Sequence, residues 1–375
     1  LTGRVVDSAL ALGPLMHEFG WTETEYDRLS AGSLAGHLLE CGTQVTGGIF
    51  TDWREVAPGW DDMGFPIAVC RPDGSFDITR PEGTGGRITP RTVAEQVTYE
   101  VGDPGAYLLP DVTCDWRDIR LEQAGPERVR VSGARGRAPG DSLKVSATYT
   151  DGYRAAANMM IAGHDAAPKA QATGEAILAR AARLIARAGH APFAETLVEV
   201  LGSGASYGAD PARSEAREVV LKLAVRHETR AALEIFAREI YPAACAMAQG
   251  ITGFAGGRPA PQPVVRLFSC LVPKAQVPVH VDVAGREVTV AHSPGAEVVP
   301  AATDPAGIDA PPAPGARPLA HVPLLALAHG RSGDKGDTAN IGVLARDPAY
   351  LPWIRRAVTP ARVAEWFGTR VKGPV

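Results

Sequence analysis

A chain of 375 residues is long enough for two ordinary domains, or for one large domain with an appendage. Its hydrophobic fraction of 45% and charged fraction of 21% provide for a real core, and its net charge of -4 argues against a general nucleic-acid binder, which carries a basic excess. No run of about 18 uncharged apolar residues occurs, so no membrane-spanning helix is expected.

The first residues, LTGRVVDSALAL, read as the end of a strand entering a helix, as if the chain begins inside a fold. A helix is predicted from Thr22 to Cys41, with Thr22 and Glu25 at capping-box spacing and Gly42 at its end. Residues 65 to 80 read as a hairpin turning at Pro72-Asp73-Gly74. A glycine-rich loop then feeds a helix with Thr89 as cap and Pro90 at its first position. Strands are expected at 117–133, 143–150, 195–200, 218–225 and across 263–291, with helices at 173–188 and 228–249. Strands alternating with helices argue for an α/β fold, a large mixed domain over 1–292 with a partly parallel sheet. Residues 293–318 read as a proline- and alanine-rich linker. Beyond it, 319–375 holds two expected strands, 322–328 and 340–345, around a polar loop, then two short helices near 348–356 and 359–367. The five cysteines, Cys41, Cys70, Cys114, Cys245 and Cys270, are scattered without a CxxC pair, the usage of a reducing compartment. A cytoplasmic location is expected.

Four segments carry residues suited to chemistry. The first is HGRSGDKGDTANIG, His329 to Gly342, where Gly330, Gly333 and Gly336 alternate with charged side chains. Backbone amides together with Arg331, Ser332 and Lys335 suit a phosphate or carboxylate, whereas Asp334, Asp337 and Asn340 would offer oxygens to a hard cation such as Mg²⁺. A solvated turn needs neither. The second is GHLLECGTQVTGG, continuing to Asp52. His37 and Cys41 lie one helical turn apart, but a helix C-terminus disfavours a thiolate, which makes Glu40 the better acid or base. Gly47 and Gly48 have the form of an anion-cradling turn, and so do Thr84, Gly85 and Gly86 before the helix capped by Thr89. The fourth segment, Leu143 to Ala170, brings Lys144, Asp151 and Asp165, all able to move protons or bind an acid. No HExxH-type spacing appears among the histidines, so no zinc centre is expected.

In order along the chain, AGHLLECGTQVTGG, GFPIAV, TGGRITPRTVAEQ, LKVSATYTDGYR and GHDAAPKA resemble the acyclic terpene utilisation family, AtuA. HGRSGDKGDTANIGVLAR resembles the small ferredoxin-like α+β domain that follows it in that family. The resemblance implies that both ends of the usual family chain are missing. It also implies catabolism of acyclic terpenes or related branched acids as coenzyme A thioesters. The reaction expected is lyase cleavage of a 3-hydroxyglutaryl-type acyl-CoA, with a hydro-lyase or a non-catalytic acyl-thioester-binding subunit as alternatives. On that reading Glu40 or Asp334 acts as base, Arg331 and Lys335 hold the thioester oxygen or a carboxylate, and Mg²⁺ on Asp334 and Asp337 is optional. Coenzyme A enters as part of the substrate. A homo-oligomer is expected on base rates, with no nucleic-acid or membrane partner.

Overall fold

The structure, a computed structural model, describes residues 5–208, 213–293, 295–296, 320–335 and 338–375. They form two compact units, one from Leu1–Val145 with Cys270–Thr359, the other from Ser146–Ser269 with Pro360–Val375. The expected linker lies almost wholly outside the described residues.

The first unit opens with helices α1 (Ala9–Phe19) and α2 (Tyr26–Leu39). Helix α2 starts at Tyr26, later than expected, because Thr22 and Glu25 form only half a capping box: the Thr22 N–H donates to the Glu25 carboxylate at 2.6 Å. Strands β1 (Ile67–Cys70) and β2 (Phe76–Thr79) make the expected hairpin. Helix α3 (Pro90–Thr98) is fixed at its start by a reciprocal cap. The Thr92 N–H donates to the Thr89 hydroxyl, and the Thr89 N–H donates to that of Thr92. Strands β3 (Tyr107–Leu108), β4 (Thr113–Asp115), β5 (Arg120–Gly125), β6 (Arg128–Ser132) and β7 (Arg135–Arg137) complete two small sheets, ordered β1-β2-β6-β5 and β3-β4-β7. Their inner faces and α2 enclose a core including Leu29, Leu34, Leu38, Phe76, Ile78, Val93 and Val131.

Strand β8 (Ser142–Ala162) leads into the second unit. There α4 (Ala166–Arg187), β9 (Glu195–Leu201), β10 (Glu218–His227), α5 (Arg230–Glu239), the single turn α6 (Ala243–Ala246) and β11 (Ile251–Ala255) follow. The mixed α/β class holds, but the expected parallel pairing does not. The sheet runs β11-β8-β10-β9, and each of its three defined ladders is antiparallel. The cause is a split β-α-β arrangement. Strands β8 and β9, joined through α4, do run in the same direction, but β10 inserts between them; likewise β8 separates β10 from β11. Helix alternation therefore signalled the crossovers correctly, while strand insertion made the neighbours in these three ladders antiparallel. Alternate residues Val219, Leu221, Leu223 and Val225 of β10 meet Ile177 and Ala181 of α4 in a second core.

Strand β12 (Gln262–Pro273) pairs with β8, and β13 (Val279–Val283) with β14 (Arg286–Val290). Residues 324–327, expected as strand, form the short helix α7 (Leu324–Leu327). The expected polar loop is instead a β-hairpin of β15 (Ala328–Lys335) and β16 (Thr338–Ala345), followed by α8 (Leu351–Ala357) and α9 (Pro360–Phe367).

Candidate functional site

Being a strand, β15 sorts its side chains by parity. His329, Arg331 and Gly333 are buried, whereas Gly330, Ser332 and Asp334 are exposed. The inner row lies on α3, and two glycines permit that approach. A Cβ at Gly333 would meet the Glu100 backbone N at 2.8 Å, and one at Gly342 would meet Thr98 at 2.6 Å. The Asn340 carboxamide closes the contact by donating to the carbonyls of Thr98 (3.1 Å), the last residue of α3, and of Val101 (3.2 Å) just beyond it.

The centre of the site is Glu95, which has no exposed surface, beside Arg331 at 2% and His329 at 4%. The Glu95 carboxylate accepts from the Thr51 N–H at 3.2 Å and from Arg331 Nη2 at 3.1 Å, and lies 3.4 Å from His329 Nδ1. Arg331 also donates to Gln44 Oε1 (3.3 Å) and the Gly48 carbonyl (3.4 Å), while its Nε has no partner among the described residues. Burial lowers the guanidinium pKa and Glu95 opposes the shift without cancelling it; an arginine stays cationic all the same.

Behind this pair Arg346 grips Asp52 with two bonds of 2.7 Å, and Arg91 adds a third at 3.0 Å. The bonds from Arg346 hold the Asp52 carboxyl below its ordinary range. His329 stacks on Phe50, and its Nε2 lies 3.4 Å from Arg346 Nη1. A guanidinium can only donate, so Nε2 is the bare nitrogen and the proton sits on Nδ1, which faces Glu95 without a hydrogen-bond partner among the described residues. Burial, seconded by Arg346, holds the imidazole below its usual value, in keeping with that neutral state.

Towards the other end of β15, Lys335 pairs with Glu100. Burial opposes the ammonium, but Glu100 outweighs it and raises the pKa, with Glu40 adding to the effect. The Cys41 thiol donates to Glu40 at 3.0 Å and approaches the Tyr99 hydroxyl. Burial and Glu40 push that thiol up to about 11, so it is not the thiolate that activation by His37 would give. His37 instead donates to the Gln96 carbonyl at 2.9 Å.

Glu40, Asp52, Arg331, Lys335 and Asn340 are thus gathered around one hairpin and one helix. Asp334 and Ser332 stand on the opposite face of β15, and Asp337 lies outside the described residues, so the Asp334–Asp337 cation pair has only one placed member, turned away from Arg331. No group of three or more metal-ligating side chains occurs among the described residues. The glycine turns serve the fold. The N–H groups of Gly47, Gly48 and Gly85 donate to the carbonyls of Gln44, Thr43 and Asp62, which leaves them nothing for an anion. Gly86 lies close against Thr46, and Thr84 bonds the Pro81 carbonyl. Lys144 is exposed on β8. Within the second unit Asp151 is bound by Arg226 and Arg266, and Asp165 is an exposed, left-handed residue that starts α4. Glu95 and His329 were not anticipated. His329 opens the quoted motif, but Glu95 reads as an ordinary helical glutamate until the hairpin covers it.

A mixed α/β fold with a buried acid–arginine–imidazole cluster beneath a small C-terminal hairpin defines the class. Residues 1–283 match the family described as acyclic terpene utilisation family protein AtuA, and 322–374 match the AtuA ferredoxin-like domain. The chain belongs to the AtuA family, which is implicated in acyclic terpene utilisation. The site joins residues from both matched regions, all within the first unit. No curated protein and no solved structure matches the chain. No helix among the described residues is long and apolar enough to cross a membrane.

Proposed function

We propose that this protein is a catabolic lyase that cleaves a branched 3-hydroxyacyl-CoA thioester by a retro-aldol step. The observation that carries the reading is the row under β15: a buried cation with an unpartnered donor, Arg331, on the same strand face as Lys335, which feels the Glu40 carboxylate. Retro-aldol cleavage needs a base for the 3-hydroxyl proton and a positive group for the enolate oxygen that forms when the C2–C3 bond breaks. Glu40 takes the proton. Arg331 and Lys335 hold the thioester oxygen or a terminal carboxylate. Glu95, Gln44 and the Gly48 carbonyl hold Arg331 in place. Asp334, the other base that the family resemblance implies, has no part because it faces away from Arg331. Mg²⁺ enters no step, because Asp334 faces away from Arg331 and Asp337 lies outside the described residues.

The test is turnover of 3-hydroxyacyl-CoA thioesters with product masses read directly. Glu40→Gln is expected to lower kcat by about a hundredfold or more at an unchanged melting temperature. Asp334→Asn should leave the rate as it was. Wild-type rates in Glu40→Gln would remove this base, and a product lighter by one water would reassign the protein to the hydro-lyases. Thermal stabilisation by thioesters without any product would mark a binding subunit.

A further inference from the structure

A cavity of about 370 Å³ lies in the first unit and shares no residue with the row under β15. Its walls are apolar. Ala9, Leu12, Gly13 and Met16 stand at helical spacing on one face of α1, and Leu29 of α2 lies beside them. Another wall is the open end of the β13–β14 hairpin, where Val279 pairs directly with Val290. Gly13 leaves room at the α1 wall, since a Cβ added there would meet no atom within 4 Å.

The polar groups are of one kind. Glu23 and Asp111 both border the cavity and are exposed, and neither carboxylate has a hydrogen bond or ion pair among the described residues. Desolvation holds the Asp111 carboxyl above its ordinary range, Lys274 offsets part of that, and Glu23 adds to it. Lys274 is itself buried and does not border the cavity. It spends an N–H on the Pro110 carbonyl at 2.7 Å and is drawn on by Asp141 as well. His292 also borders the cavity. Its Nε2 lies 2.6 Å from the Val277 carbonyl, which can only accept, so in the neutral ring Nε2 carries the proton and Nδ1 is left as an acceptor. No lysine or arginine borders the cavity among the described residues. A primary ammonium brings three donors, the complementary charge and an aliphatic chain for the walls. The volume sits at the lower end of the usual range for small-molecule sites.

We propose that this cavity binds a small aliphatic amine, with its ammonium at Glu23 and Asp111 and its chain between α1 and the β13–β14 hairpin. The site goes beyond the lyase reading, and no step of that reaction uses it. Leu12, Met16, Val279 and Val290 take the chain, and Gly13 sets how much of it fits. An acid of the same length is repelled by the two carboxylates, and an alcohol gains the apolar contact without the charge.

The experiment is calorimetric titration of the full chain with n-hexylamine, n-butylamine, n-hexanol and n-hexanoate at low salt. Hexylamine should bind about tenfold or more tighter than hexanol, because hydrogen bonds to charged groups outweigh neutral ones. It should also exceed butylamine by about fourfold for each methylene buried. Asp111→Asn should cut the preference for amine over alcohol about fivefold. Gly13→Leu, a change that favours helix, should fill the hollow and abolish hexylamine binding at an unchanged circular dichroism spectrum. Hexanol or hexanoate binding to the wild-type protein as tightly as hexylamine overturns the proposal, as does an absence of hexylamine binding, and neither result depends on a variant folding. Equal hexylamine binding by a folded Gly13→Leu would put the amine elsewhere and overturn it too.

Discussion

Buried ionisable groups make the site sensitive to pH. His329 is held below its ordinary pKa by burial and then by Arg346, and His37 is lowered chiefly by burial. An unfolded histidine titrates near about 6.5, so below that value the unfolded chain takes up protons that the folded one resists. The stability that these residues contribute is therefore complete above about pH 6.5 and is lost as the pH falls towards 5. The stability from the lowered Asp52 is complete above about pH 4 and is lost only in the separate, more acidic window below it. Urea midpoints should fall between pH 7.5 and 5, and His329→Gln should shrink that fall; a midpoint that stays level across the range would contradict the assignment. At this scale the sequence revealed the members with motif-like surroundings, Arg331, Lys335, Asn340, Asp52 and Glu40. It hid Glu95, because nothing local distinguishes a glutamate bound for solvent from one that a strand 236 residues away will cover.

Helix α3 was legible because its start is local chemistry: Thr89 before Pro90 specifies a cap whatever lies around it. The hairpin was not, because glycines and charges at every second or third place mask a two-residue alternation that only its inner row obeys. Leu324–Leu327 failed for a different reason, since four apolar residues fit a strand or a helical turn equally well. The contact between α3 and the hairpin depends on two absent side chains, which makes it easy to break. Gly333→Ala and Gly342→Ala would each force the strands away from Glu100 or Thr98. Amide exchange in β15 and β16 should then quicken, with that of β10 as an unchanged reference. Unaltered exchange in both variants would show that the hairpin does not rest on α3 as closely as these distances require.

The described residues form two cores, and their class could be read from strands and helices in alternation. Strand order could not be read, since an inserted β10 leaves no local mark on β8 or β9. One consequence concerns the C-terminal region. A chain ending at residue 296 would keep Asp52 and Glu95 but lose Arg346, His329 and Arg331. It would also lose the packing of the hairpin on α3 and the Asn340 bonds to the Thr98 and Val101 carbonyls, so the urea midpoint should drop measurably; an equal midpoint would mean that the hairpin adds nothing to stability. The same separation has a meaning in time. Glu95 leaves the ribosome 236 residues ahead of Arg331, which at about 5 to 20 residues per second is an interval of roughly 12 to 47 s. Throughout it, the carboxylate is an ordinary wet side chain on a helix that nothing covers. The charged cluster thus forms only once the hairpin has been made, well after α3.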